Sequence, residues 1–280
     1  MYNAVVQIIG FAVGTSVVLV LSGMTRKSRA KKLFAQCREA AEQGDADAQA
    51  NLGRIYEDGW DAADIAQDDV QAVAWYRKAA DQGDFMAQYN LGQMYEKGGG
   101  VAQDDAKAVA WYRKAADQEV FFAQNELGRM YEEGRGVAQD DAQAVAWYRK
   151  AADQAFDIAQ FNLGRMCEQG RGLPQDDAEA VNWYRKAAVQ GDALAQYNLG
   201  RMYEKGGGVA QDRAKAFRWI RKAARQGYAD AQYSLGAMYQ EEGRRSDPKR
   251  AAAWYRKAAD QGHVAAQEAL RRTEASGRAN

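Results

Sequence analysis

The sequence Ala-Val-Ala-Trp-Tyr-Arg-Lys-Ala-Ala-Asp-Gln occurs three times in this chain, at Ala72–Gln82, Ala108–Gln118 and Ala144–Gln154. Its tryptophan recurs in more divergent surroundings further along, and successive tryptophans are 36 or 35 residues apart: Trp75, Trp111, Trp147, Trp183, Trp219 and Trp254. A fixed period of this length is typical of proteins built from repeated supersecondary units. The sequence therefore predicts an array of similar modules.

The composition favours packed helices and argues against a nucleic-acid partner. The 280 residues include 38 Lys plus Arg and 38 Asp plus Glu, and the pI is about 6.6. Nucleic-acid binders usually carry a basic surface, so we expect no nucleic acid among the partners. Two prolines, 27 glycines and 47% hydrophobic residues suit closely packed helices separated by glycine-containing turns.

The repeat that ends at Gln118 predicts two helices. Asp84 is placed to cap a helix from Phe85 to about Lys97, after which Gly98 supplies the left-handed C-terminal position. Apolar residues recur in this stretch at the spacing of one helix face: Ala87, Leu91, Met94 and Tyr95. Asp104 is placed to cap a second helix that ends near Gln118.

The two helices are expected to pack against each other closely. Gly92 lies in the middle of the first helix, where glycine costs about 1 kcal/mol relative to alanine, so we expect it to allow a close approach. The second helix mixes small and large side chains on one face: Ala108, Val109, Trp111, Tyr112, Ala115 and Ala116. Such a hairpin cannot bury its apolar face alone, and neighbouring hairpins must stack on it.

The stretch Ala-Gln-Tyr-Asn-Leu-Gly-Gln-Met-Tyr-Glu-Lys-Gly at Ala87–Gly98, with the second helix that follows, resembles the Sel1-like repeat, a relative of the tetratricopeptide repeat with a longer loop. Matching segments begin at Ala48, Ala87, Ala123, Ala159, Ala195, Ala231 and Ala266. The resemblance implies an all-α, right-handed α/α solenoid of helix hairpins. It also implies adaptor, assembly or signalling roles, and some family members act in the bacterial envelope or bind host proteins.

This resemblance divides the chain into four parts. Residues 44–262 form six repeats, residues 26–43 a basic linker with an N-terminal capping helix, and residues 263–280 a C-terminal capping helix and tail. Residues 1–25 are expected to be a membrane anchor or an uncleaved signal-like segment, which would give the solenoid an N-terminal transmembrane helix.

The anchor is inferred from residues 4–23, a mostly apolar run about long enough to cross a bilayer. Basic residues follow it at once (Arg26, Lys27, Arg29, Lys31 and Lys32), so the positive-inside rule predicts a single-pass protein with cytoplasmic repeats. The alternatives are a cleaved signal, with periplasmic or secreted repeats, and a true start at Met24. Gly10 and Gly14 have the spacing of a membrane-helix dimer motif, which makes a homodimer a further expectation.

Residues that catalyse or bind metals are sparse, so we expect no enzyme, cofactor or metal, with a hydrolase as the remaining alternative. The one histidine, His263, is expected at the surface. Cys37 and Cys167 stand where sibling repeats have tyrosine, which predicts buried thiols. The Asp-Asp pairs that begin at Asp68, Asp104, Asp140 and Asp176 open helices, where aspartate caps free N–H groups.

Differences between the repeats indicate where a partner binds. The residue before each Ala-Gln pair is apolar in four successive repeats: Met86, Phe122, Ile158 and Leu194. Met86 shares its helix side with Asn90, Gln93 and Lys97, and we call this side, with its equivalents in the other repeats, the candidate face. Asparagine recurs on it at Asn51, Asn90, Asn162 and Asn198.

The four apolar side chains have two interpretations: they fill space between repeats, or they form an exposed strip that binds a partner. Under the second, the asparagines bond the backbone of an extended peptide. A three-residue insertion near Trp60 also has two interpretations, in which this tryptophan anchors a partner or folds back onto the first repeats. We therefore expect a non-catalytic scaffold that binds a protein or peptide in a groove of first helices. The alternative is an extracytoplasmic factor that engages envelope enzymes, a toxin or host proteins.

Overall fold

A computed structural model describes residues 25–241 and 247–278 of the protein, and every element in this part is helical apart from one isolated two-residue bridge. A 3-10 turn covers Asp61–Ala63. The α-helices in chain order are α1 Arg26–Glu42, α2 Ala46–Asp58, α3 Asp69–Asp81, α4 Phe85–Lys97, α5 Asp105–Asp117, α6 Phe121–Glu133, α7 Asp141–Asp153, α8 Asp157–Gln169, α9 Asp177–Gln190, α10 Ala193–Lys205, α11 Arg213–Arg225, α12 Ala229–Gln240, α13 Pro248–Asp260 and α14 Val264–Arg278.

The chain divides into two compact units between Asp140 and Asp141. In the first unit, α1 to α6 pack in chain order, each helix against the next. In the second unit, α7 to α14 do the same. The even-numbered helices from α2 to α12 are the first helices of the six repeats, and the division falls between the two helices of the third repeat.

The helix boundaries follow the capping residues that the sequence indicates. The Asp84 carboxylate accepts a hydrogen bond from the amide N of Ala87 at 2.6 Å, and Gly98 ends the helix with φ 75°. Asp104 in the same way accepts from the amide N of Lys107 at 3.0 Å. The predicted bounds of both helices are confirmed, and the capping role of the first aspartate in the Asp-Asp pairs is confirmed at Asp68, Asp104 and Asp176.

The mid-helix glycine faces a buried tyrosine of the same hairpin, as predicted. A Cβ on Gly92 would lie 2.7 Å from the ring of Tyr112, and the hydroxyl of this tyrosine donates to Glu96 at 2.8 Å. Burial, followed by the nearby Glu96 charge, raises the pKa of Tyr112. The same close approach recurs between these pairs: Gly53 and Tyr76, Gly164 and Tyr184, and Gly236 and Tyr255.

Consecutive repeats are joined by a glutamine one residue beyond the buried alanine of each first helix. The side-chain amide of Gln88 donates to the carbonyl O of Ala80, in the last turn of the preceding second helix, at 3.2 Å. The same bond, at 3.0 to 3.4 Å, is made by Gln49, Gln124, Gln160, Gln196, Gln232 and Gln267. The oxygen of Gln88 accepts from Gln118 at 2.8 Å. Each of the six repeats is thus tied to the helix before it through a buried glutamine amide.

The N-terminal linker that we expected before the capping helix is itself helical, because α1 begins at Arg26. Trp60 is 5% exposed and lies in the same core cluster as Leu33 of α1, as the interpretation in which it folds back onto the first repeats requires. The insertion that carries it also places Asp64 2.8 Å from the ammonium of Lys27 and 2.7 Å from that of Lys31. The three-residue insertion therefore fastens the capping helix.

The two cysteines occupy the core, as predicted. Cys37 and Cys167 are 1% and 0% exposed, and both are free thiols. The pKa of each thiol is raised to about 11, mainly because the thiol is buried.

The predicted membrane anchor at residues 4–23, with Gly10 and Gly14, lies outside the described residues. Of the helices that the structure does describe, none combines the length and the apolar character needed to span a bilayer.

Replacing Gly92 with alanine tests the close approach. In an open helix position this change stabilises by about 1 kcal/mol. Here we expect Gly92→Ala to lower the free energy of unfolding by about 1–3 kcal/mol, because the new methyl group overlaps the Tyr112 ring. Urea denaturation followed by circular dichroism measures the change, and a stabilised variant would contradict the packing described here.

Candidate protein-interaction face

The structure separates the four apolar residues of the candidate face into two kinds. Met86, Ile158 and Leu194 are 36%, 46% and 37% exposed, as the partner-binding interpretation requires. Phe122 is half-buried, and its ring centroid lies 4.8 Å from that of Tyr89 in the preceding first helix, as the space-filling interpretation requires. Each of these residues is the second of its helix. The difference in their exposure therefore comes from contacts with the neighbouring repeat.

The asparagines of the candidate face are half-buried, and their bonding differs between repeats. Asn198 donates to the carbonyl O of Leu194 at 2.9 Å and accepts from Arg201 at 2.8 Å, so its amide is engaged within its own helix. Asn162 also has a partner within the protein. No hydrogen bond within the described residues involves the side chains of Asn51 or Asn90. These two remain the better candidates for bonding a peptide backbone.

In the first unit a network of ion pairs fills the candidate face beside Phe122. The guanidinium of Arg129 pairs with Glu96 at 2.5 Å, with Glu126 at 2.8 Å and with Glu133 at 2.9 Å. Arg135 also pairs with Glu96, at 2.8 Å. Burial alone would raise the pKa of Glu96, but the hydrogen bonds from Arg129, Tyr112 and Arg135 outweigh it and lower that pKa. The charges here are satisfied internally.

In the second unit Arg201, one of the two arginines equivalent to Arg129, has different surroundings. Arg201 is half-buried, lies 5.9 Å over the ring of Tyr197, and donates to Asn198. No ion pair within the described residues includes it. The face around it carries exposed Leu194 two turns earlier and Lys205 one turn later.

Two turns between repeats depart from the pattern in a way that the sequence reasoning missed. Most repeats connect through glycine with positive φ, such as Gly83 (φ 94°) before the capping Asp84. Glu119 and Ala155 take the same left-handed conformation at φ 63°, although they carry a Cβ. The left-handed conformation costs such residues about 1–2 kcal/mol.

The capping position after each of these residues is also altered. Val120 and Phe156 make no side-chain cap hydrogen bond, and a lost N-cap costs about 1 kcal/mol. The replacement of the usual Gly-Asp pair by Glu-Val and Ala-Phe was visible in the sequence. These turns open α6 and α8, which carry Phe122 and Ile158, so stability is lower where the apolar residues accumulate.

His263 has a structural role and is less exposed than the sequence suggested. Its side chain is 17% exposed and stacks on Tyr233 with ring centroids 4.9 Å apart. Its Nδ1 accepts from the amide N of Ala266 at 3.1 Å and so caps α14, while its Nε2 lies 3.2 Å from Asp230. Among the described residues, no three potential metal ligands lie close enough together to hold an ion.

Changing Ala155 to glycine tests the strained turn. We expect Ala155→Gly to raise the free energy of unfolding by about 0.5–1 kcal/mol, because glycine takes a positive φ without steric cost but loses more chain entropy on folding. The matched control, Ala146→Gly at an exposed position within α7, should lower it by about 1 kcal/mol. Thermal or urea unfolding of both variants measures the difference, and a loss of stability in both would mean that the turn is unstrained.

Comparison with known proteins agrees with this architecture. The family model "Sel1 repeat" matches six consecutive segments, residues 46–84, 85–120, 122–156, 157–192, 193–228 and 229–263. The solved structure of a protective antigen present in uropathogenic Escherichia coli strains is 36% identical with a TM-score of 0.79, over 86% of this chain and 51% of that one. A Sel1 repeat protein from Oxalobacter formigenes is 32% identical with a TM-score of 0.76, over 84% of this chain and 96% of that one.

This chain thus spans about half the length of the E. coli antigen. An immunity protein from Pseudomonas aeruginosa is 24% identical with a TM-score of 0.45, over 82% of this chain and 82% of that one. No curated protein sequence matches significantly. The six matched segments coincide with the six helix hairpins that the periodic tryptophans mark, and the chain belongs to the Sel1 repeat family.

Proposed function

We propose that this protein is a non-catalytic scaffold that binds a protein or peptide partner on the candidate face of its first helices. Proteins of the Sel1-repeat fold are in general protein-interaction scaffolds. The observation that carries the proposal for this chain is the exposure of Met86, Ile158 and Leu194 at one equivalent position. Apolar side chains that remain exposed beside polar neighbours are typical of a partner surface.

The strained turns support the same function. The conformation of Ala155 and the uncapped start of α8 both lower stability, and they lie directly before exposed Ile158 of the candidate face. Strain of this kind persists where the surrounding structure holds it in place, and it is concentrated at functional sites. A partner that covers these apolar side chains gives a reason for their presence.

The chemistry of the described residues supports binding over turnover. A thiol whose pKa is raised to about 11 stays protonated near neutral pH, so neither Cys37 nor Cys167 supplies a thiolate nucleophile. His263 caps a helix through Nδ1 and faces Asp230 through Nε2, so both ring nitrogens are engaged. The proposed mechanism is stoichiometric association.

The test is to place a charge on the exposed positions without disturbing the core. We expect Ile158→Asp and Leu194→Asp, separately, to weaken partner capture at least tenfold, because each buries an unpaired carboxylate in the complex. Met86→Asp tests the first unit. Chemical crosslinking in native cells, affinity purification and quantitative mass spectrometry identify the partner and measure its recovery.

The matched control is Val189→Asp, which makes the same kind of change at a residue that is 67% exposed at the end of a second helix. This variant should recover the partner as well as the unmodified protein does. If all four variants fold and recover it equally, the candidate face is not the binding surface.

The compartment of the repeats is part of the proposal. The basic residues after positions 4–23 favour cytoplasmic repeats on a single-pass anchor. The similarity to a protective antigen of E. coli favours the alternative, in which the repeats lie outside the cytoplasm and meet envelope enzymes, a toxin or host proteins.

Protease access to a C-terminal tag separates these alternatives. With the outer barrier opened and the inner membrane intact, a protected tag in the membrane fraction is the result we expect. A degraded tag would place the repeats outside the cytoplasm and favour the alternative. A protected tag in the soluble fraction would point to a start at Met24 and remove the membrane from the proposal.

A further inference from the structure

The candidate face contains one arginine, Arg201, that forms no ion pair among the described residues, whereas its counterpart Arg129 pairs with three carboxylates. Arg129 and Arg201 occupy the same position of their first helices, 72 residues apart. Both are half-buried. The two repeats share one architecture, so the residues around Arg201 can be compared directly with those around Arg129.

Arg129 is surrounded by three carboxylates, Glu96, Glu126 and Glu133. The residues equivalent to these around Arg201 are Glu168, Asn198 and Lys205. Two carboxylates are therefore replaced by a neutral amide and an ammonium group. The third, Glu168, accepts a hydrogen bond from the hydroxyl of Tyr184 at 2.6 Å and makes no ion pair with Arg201.

The surroundings of Arg201 hold its guanidinium in place while leaving its charge uncompensated. Asn198 accepts one of its N–H groups at 2.8 Å, and the ring of Tyr197 lies beneath it at 5.9 Å. Tyr197 in turn packs against Tyr228, with ring centroids 5.2 Å apart. Asp230, in the next first helix, accepts from Tyr228 at 2.8 Å and lies 3.2 Å from Nε2 of His263.

Arg54 provides a contrast within the array. It also follows an asparagine, Asn51, by three residues, but its helix carries Asp47 and Asp58 on the same face. The equivalents of these aspartates around Arg201 are Leu194 and Lys205. The combination of an unpaired guanidinium with an exposed apolar side chain thus distinguishes the fifth repeat from the first.

We infer that Arg201 and Leu194 form a subsite for an internal acidic side chain of an extended peptide, with an apolar residue of that peptide seated on Leu194. The inference rests on the proposed function and names the chemistry of the partner. A guanidinium forms strong, charge-assisted hydrogen bonds with carboxylates. Exposed Ile158, at the position equivalent to Leu194 on the neighbouring first helix, offers the same peptide a further apolar contact.

The geometry sets the spacing within the peptide. Leu194 and Arg201 are seven residues apart on one helix, which corresponds to about 10 Å along the axis. An extended chain advances about 3.3 Å per residue, so the apolar residue and the acidic residue should be about two to four positions apart.

The probe is a peptide array in a Gly-Ser background, with one leucine and one glutamate at spacings of one to five residues and with both chain ends blocked. Full-length protein is titrated against fluorescent versions of the peptides that bind. We expect the unmodified protein to select spacings of two to four. Replacing the glutamate by glutamine should weaken binding by about 10- to 100-fold.

Three variants assign the effect to its residues. Arg201→Gln should bind the glutamate and glutamine peptides equally, and Leu194→Asp should bind neither. Arg218→Gln, which removes an exposed arginine from a second helix, should keep the full preference for glutamate. Circular dichroism and the melting temperature confirm that each variant is folded.

The opposite results separate this inference from the proposed function. If the unmodified protein does not distinguish glutamate from glutamine, or if Arg201→Gln keeps the preference, the carboxylate subsite is wrong. Binding that still depends on Leu194 would then leave the proposed function standing. A second set of the glutamine peptides is made with a free C-terminus. If only this set binds, the inference is also overturned, because the carboxylate would be terminal. If no peptide binds better than the Gly-Ser background, the subsite is wrong as well.

Discussion

A buried amide bond between neighbouring repeats is the constraint on which the rest of this structure depends. The glutamine of each first helix, such as Gln88, lies where water does not reach and must therefore find its hydrogen-bond partners within the protein. Its partners are the last turn of the preceding second helix and the glutamine that ends its own repeat. Leaving such a group unpaired costs about 1–3 kcal/mol, so the rotation of every first helix is fixed. The second residue of the helix, Met86 or its equivalents, points away from the core as a consequence.

The sequence was sufficient to predict the fold because its signals are local and repeated. The caps at Asp84 and Asp104, the left-handed Gly98 and the close approach at Gly92 each follow from one residue type in one helix position. These local signals do not determine which side chains of the candidate face are exposed. Phe122 packs against Tyr89, whereas Ile158 in the same position is exposed, and this difference depends on contacts with another repeat.

Two other features also depend on contacts between separate parts of the chain. The role of Trp60 depends on how a three-residue insertion turns back toward α1, where Asp64 meets Lys27 and Lys31. The role of His263 depends on Tyr233 and Asp230 in the preceding repeat. The strained turns were different, since the loss of glycine at Glu119 and Ala155 is visible in the sequence. What the sequence does not show is that the backbone keeps a positive φ at both residues, which makes these turns strained.

The contacts between repeats determine how the number of repeats can change during evolution. The glutamine bonds and the glycine–tyrosine contacts join a repeat only to itself or to its immediate neighbour. The stretches Ala72–Gln82, Ala108–Gln118 and Ala144–Gln154 are identical, so an exchange of sequence between any two of them would remove or add a whole number of repeats. The junction created by such an event reproduces donors and acceptors that already match. Array length is therefore a property that selection adjusts without the need for compensating substitutions in the core.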